Sequence, residues 1–404
     1  MKKIPLPFSL AASLLVVVFG AFIFWGVPYF FRPIQLTTTI DGYGSQTTRA
    51  RVAEILETGQ IEMEGAPQNY QVARVEILEG QYQGVLMEID YGKRQLRPDW
   101  APLVPGDEIY VTLEKRLDGV LTAYYVDFVR TKALVFLTVV FVVAILALGR
   151  RKGLGALLAL VFSMVVIVGY VIPHILAGED PLKVSLIGSA ILLGTTLYIT
   201  YGWNLKTHAS VLSMILALVL TGLLTVGFVS LARLNGYGDE NALFLIQLSA
   251  IKINLRGLLL GGMIIGALGV LDDLVTSQSA AVFELYDANP ALGFRGIFEK
   301  SMRIGQDHVA ATVNTLVLAY TGASLPLLLL FALGSHNYGF LLNVEFMAEE
   351  IVRTLVGSLG LMAAVPLASL IATTLALYAD RLGEWRALLG PATGSETEHA
   401  HHHH

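Results

Sequence analysis

Long apolar runs recur along this chain near residues 8–31, 133–149, 153–176, 183–201, 209–232, 257–272, 310–333 and 351–378. Each reaches or nearly reaches the roughly 20 residues that a helix needs to cross about 30 Å of hydrocarbon. A soluble core offers no room for so many such segments. The feature therefore predicts an α-helical polytopic membrane protein of about eight transmembrane helices. Composition agrees, since 54% of the 404 residues are hydrophobic and only 15% are charged.

The first run follows Lys2 and Lys3 and ends in Trp25, Pro28, Tyr29, Phe30 and Phe31. An aromatic belt at that point fits an uncleaved anchor over residues 1–33 better than a signal-peptide cleavage site. Residues 34–130 differ in kind. Runs such as RARVAEILE, YQVARVEILEG, YQGVLMEIDY, DEIYVTLEK and VLTAYYVDFV alternate apolar and polar positions. Gly59, Gly80, Pro105-Gly106 and Asp118-Gly119 punctuate them. Period-two alternation between turn residues predicts five or six strands of a small barrel or sandwich, and an OB-like barrel fits the length.

Charge places these parts. The net charge is −5, and residues 32–130 supply all of it, with 10 Lys/Arg against 15 Asp/Glu. Lys2/Lys3, Arg150/Arg151/Lys152, Lys206, Arg295/Lys300/Arg303 and Arg381/Arg386 fall on one side of an eight-span arrangement. The positive-inside rule then predicts cytoplasmic N- and C-termini and an extracytoplasmic β-domain, a multi-pass protein of the cell membrane. A seven-helix domain is expected over 131–380, with an amphipathic cytoplasmic segment near 276–306. Segment 241–256 is too interrupted to cross and suits a re-entrant or interfacial helix. Residues 381–404 read as a cytoplasmic tail ending in a purification tag, His401 to His404. No basic surplus points to nucleic acid, and the absence of cysteine excludes thiolate chemistry. The expected partners are the lipid bilayer, a small ion or solute, and further copies in a homo-oligomer.

Chemistry concentrates in residues 268–315. Asp272 and Asp273 close one apolar span, and Asp307 and His308 open the next. Ionisable groups at a membrane boundary are costly to desolvate and mark functional sites by default. In a continuing helix, Asp273, Ser277 and Glu284 share a face, with Asp272, Thr276 and Ser279 on the adjoining one. On the next span, Asp307 and Asn314 line a face, with His308, Thr312 and Thr315 beside it. The candidate transport or ion-binding set is Asp272, Asp273, Thr276, Gln278, Glu284, Asp307, His308, Asn314 and Thr315. Such an oxygen-rich set can hold a bound cation or pass protons, and Asp272, Asp273, Asp307 and His308 would be the metal ligands. The bland alternative is a solvated loop with Ser, Thr and Asn joining helices.

Two weaker signals accompany it. Gly257, Gly261, Gly262, Gly266 and Gly269 give one span a small-residue face, for which close helix packing is sufficient cause. Thr315-Leu-Val to Pro326 and Thr354-Leu-Val to Pro366 repeat a pattern, and interrupted helices in matching places point to transporter sites. Arg353, after Glu349 and Glu350, suits a helix-surface ion pair.

The stretches GALGVLDDLVTSQSAAVFEL, RIGQDHVAATVNTLVLAYTGASLPLLLLF and EIVRTLVGSLGLMAAVPL resemble the YibE/F-like family of bacterial multipass membrane proteins. The resemblance covers roughly residues 30–380. It implies an anchor, a β-rich extracytoplasmic region and a helical membrane domain, and at most a permease role without a substrate. Transport is the expected function, without enzymatic chemistry. A membrane scaffold or assembly factor is the alternative. An intramembrane aspartyl protease would pair Asp272 or Asp273 with Asp287 or Asp307, but the Gly-x-Gly-Asp pattern of that class is absent, and a metal-dependent hydrolase would need more ligands than one histidine and a few carboxylates give. No phosphate-binding Gly-Lys-Ser/Thr loop is present, so ATP use is not expected.

Overall fold

The structure is a computed structural model that describes residues 47–63, 65–94, 101–115, 121–248, 252–334, 338–383, 386 and 388–392. The expected anchor at 1–33 and the tagged end of the tail lie outside these residues. The chain divides into two compact units, with the boundary between Ala144 and Ile145.

Among the described residues, the first unit holds five antiparallel strands: β1 (Thr47–Met63), β2 (Ala66–Ile77), β3 (Leu86–Tyr91), β4 (Glu108–Lys115) and β5 (Leu121–Phe128). Their order in the sheet is β3-β2-β1-β4-β5. The alternation seen in the sequence is the reason they form. Ala50 and Val52, Ala73, Val75 and Ile77, Ile89 and Tyr91, Ile109 and Val111, and Ala123 and Tyr125 all point into one apolar core. Their neighbours carry the charge, as in the Arg49–Glu108 pair at 2.6 Å. Strand β1 is long enough to pair with β2 along most of its length and with β4 over Thr47–Arg51. Irregularities at Val52/Glu54 and Ile55/Glu57 bend it. The Tyr91 and Tyr125 rings, on the two outermost strands, meet edge to face at 4.7 Å between centroids.

Helix α1 (Thr131–Val166) breaks at Arg150, whose φ of 46° and ψ of −121° are not helical. The π-helical turn Ile167–Val171 follows, then α2 (Ile172–Leu176). Pro173 has no N–H to give a preceding carbonyl, and the wide turn sits just before it. Next come α3 (Pro181–Tyr201), α4 (Leu205–Leu231), α5 (Glu240–Leu248), α6 (Leu255–Ala288), α7 (Gly293–Ala323), α8 (Leu325–Gly334), α9 (Tyr338–Asn343) and α10 (Glu345–Tyr378). Helix starts are written in the sequence. The side chains of Asp180, Asn204 and Asn254 accept from the N–H groups of Lys183, Thr207 and Gly257 to cap α3, α4 and α6.

Among the described residues, six helical segments are long and apolar enough to cross a membrane: Thr131–Arg150, Lys152–Leu176, Pro181–Tyr201, Leu205–Leu231, Leu255–Ala288 and Glu345–Tyr378. The run at 310–333 is present as two helices, α7 and α8, divided at Ser324 just before Leu325-Pro326. Its counterpart does not break, because α10 runs through Pro366. The segment near 276–306 is a helical hairpin. Helix α6 continues to Ala288, Asn289 accepts from Ala291 N at the turn, and Gly293 takes the positive φ of 62° that starts α7. Helix α10 packs on α4, α6 and α7, while α6 also meets α3 and α4. Leu193, Met214, Leu271, Val275, Leu361 and Ala368 form the shared core.

Candidate functional site

Asp272 sits three residues, a little under one turn, beyond Gly269 on the same side of α6. Both border an open-sided cavity of about 390 Å³ lined by α1, α3, α4 and α6. Gly269 keeps it open, since a Cβ there would have no heavy atom within 4 Å. Leu160, Leu193 and Met214 make apolar wall, whereas Ser163, Thr196, Thr200 and Tyr201 bring hydroxyls to it. Ser163 donates to Ala159 O and Thr196 to Leu192 O, both at 2.9 Å within their own helices. Their protons are thus committed, and lone pairs are what they offer the cavity. No lysine, arginine or histidine lines it among the described residues. Asp272 is half-buried there. Its surroundings favour a positively charged or proton-donating occupant.

Asp273 is exposed, one step round the helix. It shares the stripe of Gly266, Val270 and Ser277, which turns toward α7 and α10. Ser277 Oγ lies 3.3 Å from His308 Nδ1, which joins α6 to α7. Below it, Gln278 is fully buried and donates to Ser301 O at 2.8 Å and to Ser369 Oγ at 2.7 Å. One amide therefore ties α6, α7 and α10. Gly305 makes this possible, because a Cβ there would stand 2.8 Å from the Gln278 amide oxygen. Thr276 and Ser279 of α6 and Thr373 of α10 are buried, with hydroxyls that no group among the described residues pairs.

The remaining candidates stand apart from the cavity. Glu284, Asp307, Asn314 and Thr315 are exposed, and Thr315 donates to Ala311 O. Among the described residues, no hydrogen bond or ion pair joins Asp272 or Asp273 to Asp307, His308 or Asn314. Nor do three carboxylate or imidazole groups come together that could hold a metal ion. The polar meeting of the two helices runs instead through Ser277, His308 and Gln278.

Sequence reasoning passed over Ser163, Thr196, Tyr201 and Ser369. For Ser163 the available signal was a single serine in an otherwise apolar span; the spans of Thr196, Tyr201 and Ser369 carry several hydroxyls, and nothing in the sequence singles these out. It also read the whole glycine face as packing. That holds for Gly261, which lies against Ser185 and the Pro181 carbonyl, whereas a Cβ at Gly262, Gly266 or Gly269 would meet open space. Gly262 and Gly266 border a second, smaller cavity with Thr221, Tyr320 and Arg353. Arg353 pairs with Glu350 at 2.6 Å. Glu349 is buried and accepts from Gly238 N at 3.2 Å.

The family model described as YibE/F-like protein matches residues 137–377, which includes every residue that borders the two cavities. No curated protein and no solved structure matches the chain.

Proposed function

The chain belongs to the YibE/F-like family, and on that premise we propose that it is an integral membrane transporter, permease or channel for a small cation or cationic solute. The observation that carries this reading is Asp272 in its acceptor-lined cavity. A carboxylate amid hydrocarbon is costly unless a charge or a proton meets it. Solute pockets of a few hundred Å³ are the usual size for small molecules.

The membrane arrangement that goes with it has eight spans. Six are the apolar helices, the seventh is the broken pair α7 and α8, and the eighth is the run at 8–31. Both termini lie in the cytoplasm and the β-domain outside, as the Arg and Lys asymmetry requires. The β-domain is an OB-like barrel. Its strand order and the Tyr91–Tyr125 contact between the outermost strands support closure.

The test is a cation-resolved flux survey in proteoliposomes, wild type beside Asp272→Asn. Loss of one cation's flux in the variant supports the reading. Identical fluxes across the survey sink it.

A further inference from the structure

Helix α7 carries a second polar lane that faces away from its own bundle. Arg303, Asp307, Ala311, Asn314 and Thr321 follow one another at steps of four, four, three and seven, so they share one face. All five are exposed. The opposite face is the one in contact with the bundle: Ser301 and Gly305 are buried, and His308 reaches Ser277 of α6. Among the described residues, the side chains of Asp307 and Asn314 have no hydrogen-bond or ion-pair partner, and Arg303 acts on Glu299, one turn back on its own helix, only at longer range than an ion pair.

Depth makes this lane costly. His308 is level with Ser277, and Tyr320 borders the same small cavity as Gly262 and Gly266. Asn314 lies between these two levels, beside the apolar length of α6. On the reading of 310–333 as a membrane span, an amide there faces hydrocarbon with its donors and acceptors unmet.

We propose that this face of α7 is the contact between two copies of the chain, related by a two-fold axis along the membrane normal. Membrane sidedness requires that the two helices run parallel. In that arrangement Asn314 meets Asn314 of the second copy, and a carboxamide both donates and accepts, so it is complementary to itself. Arg303 and Asp307 lie one turn apart, so each arginine reaches the other copy's aspartate. Ala311, between them, lets the backbones approach closely. The chain's own apolar run at 8–31 is the rival occupant. It holds no carboxylate and no carboxamide, so it has nothing to answer Arg303 or Asn314, although Lys2 and Lys3 before it would answer Asp307.

The chain has no cysteine, which makes single-cysteine crosslinking clean. The experiment uses full-length protein in its native membrane, oxidised with a copper catalyst and run on a non-reducing gel. Ala311→Cys and Asn314→Cys are expected to give a covalent dimer, while Leu359→Cys, exposed on α10, gives none. Failure of both α7 cysteines to dimerise while a membrane-permeant maleimide still labels them overturns the proposal. So does equal dimerisation of the α10 control, which indicates random collision. A disulfide within one chain between Ala311→Cys and Ser13→Cys assigns the face to the chain's own run and overturns it as well. Two copies of Ala311→Cys that dimerise while flux is unaltered by Asp272→Asn separate this contact from the transport reading.

Discussion

Asp272 and Asp273 are consecutive, yet they leave α6 about 100° apart, one into the acceptor-lined cavity and the other exposed on the stripe that includes Ser277. Neutralising them is therefore expected to have unequal effects. Asp272→Asn removes the cavity's single carboxylate and is expected to lower cation flux by roughly tenfold or more, which corresponds to about 1.4 kcal/mol of lost interaction. Asp273→Asn is expected to change it by less than about threefold, because Asp273 does not border that cavity. Flux measured for both at one protein density decides it. Equal losses mean that the two carboxylates act together, and the cavity alone is not the site.

The glycines of α6 divide into two kinds, and substitution separates them. Gly261→Ala forces a methyl group against Ser185 and the Pro181 carbonyl. It is expected to destabilise the helical unit by about 1–3 kcal/mol, as overpacking does. Gly269→Ala meets open space and is expected to leave the melting temperature in detergent within a degree or two, a change of well under about 1 kcal/mol. Gly269→Leu fills the cavity beside Asp272 and is expected to abolish flux in protein that still melts cooperatively. If Gly269→Leu transports normally, solute does not pass that way.

How far the sequence carried this result depends on the kind of contact. Period-two runs located all five strands because each places alternate side chains, such as Val75 and Ile77, in one core. Apolar length located the spanning helices for the same local reason. Asp272 was legible as a costly charge, but its separation from Asp307 was not. Whether two helices turn their polar faces together depends on packing, here on Gln278 reaching Ser369, 91 residues away. The glycine face shows the limit most clearly. Gly261 and Gly262 are neighbours of identical type, and only the positions of α3 and α10 decide which one is pressed and which is open.

Gln278 is expected to act as a fastener more than as a ligand, because both protons of its amide are committed to Ser301 and Ser369. Gln278→Leu keeps the bulk but strands Ser369 Oγ in a buried place. The expected cost is about 1–3 kcal/mol, the usual range for an unmet buried partner. Ser369→Ala removes one of the two bonds and is expected to cost about 1 kcal/mol. Thermal unfolding of the purified protein in detergent measures both. A Gln278→Leu protein as stable as wild type, with altered flux, would return this residue to the transport path.

The β-domain supplies a prediction on pH. Hydrogen bonds from Arg49, then Lys132, hold the Glu108 carboxyl below its ordinary value, and the Arg49 guanidinium is correspondingly pushed up. A carboxylate lowered in the folded state adds stability that is fully present above its unfolded pKa, about 4.3. That stability is lost as pH falls through the lower, folded value. Protection of β1 and β4 amides from hydrogen exchange, corrected for intrinsic rates, should thus be level between about pH 7 and 5 and decline below about 4. Glu108→Gln should flatten this decline where β1 pairs with β4, over Thr47–Arg51. The far end of β1 is an internal control. There the Tyr70 hydroxyl, then Lys93, lowers Glu57, and the acid response should persist in the Glu108 variant. Exchange mass spectrometry on the full chain reads both ends at once. If the decline at Thr47–Arg51 is the same in wild type and Glu108→Gln, the Arg49–Glu108 pair is not what fastens β1 to β4.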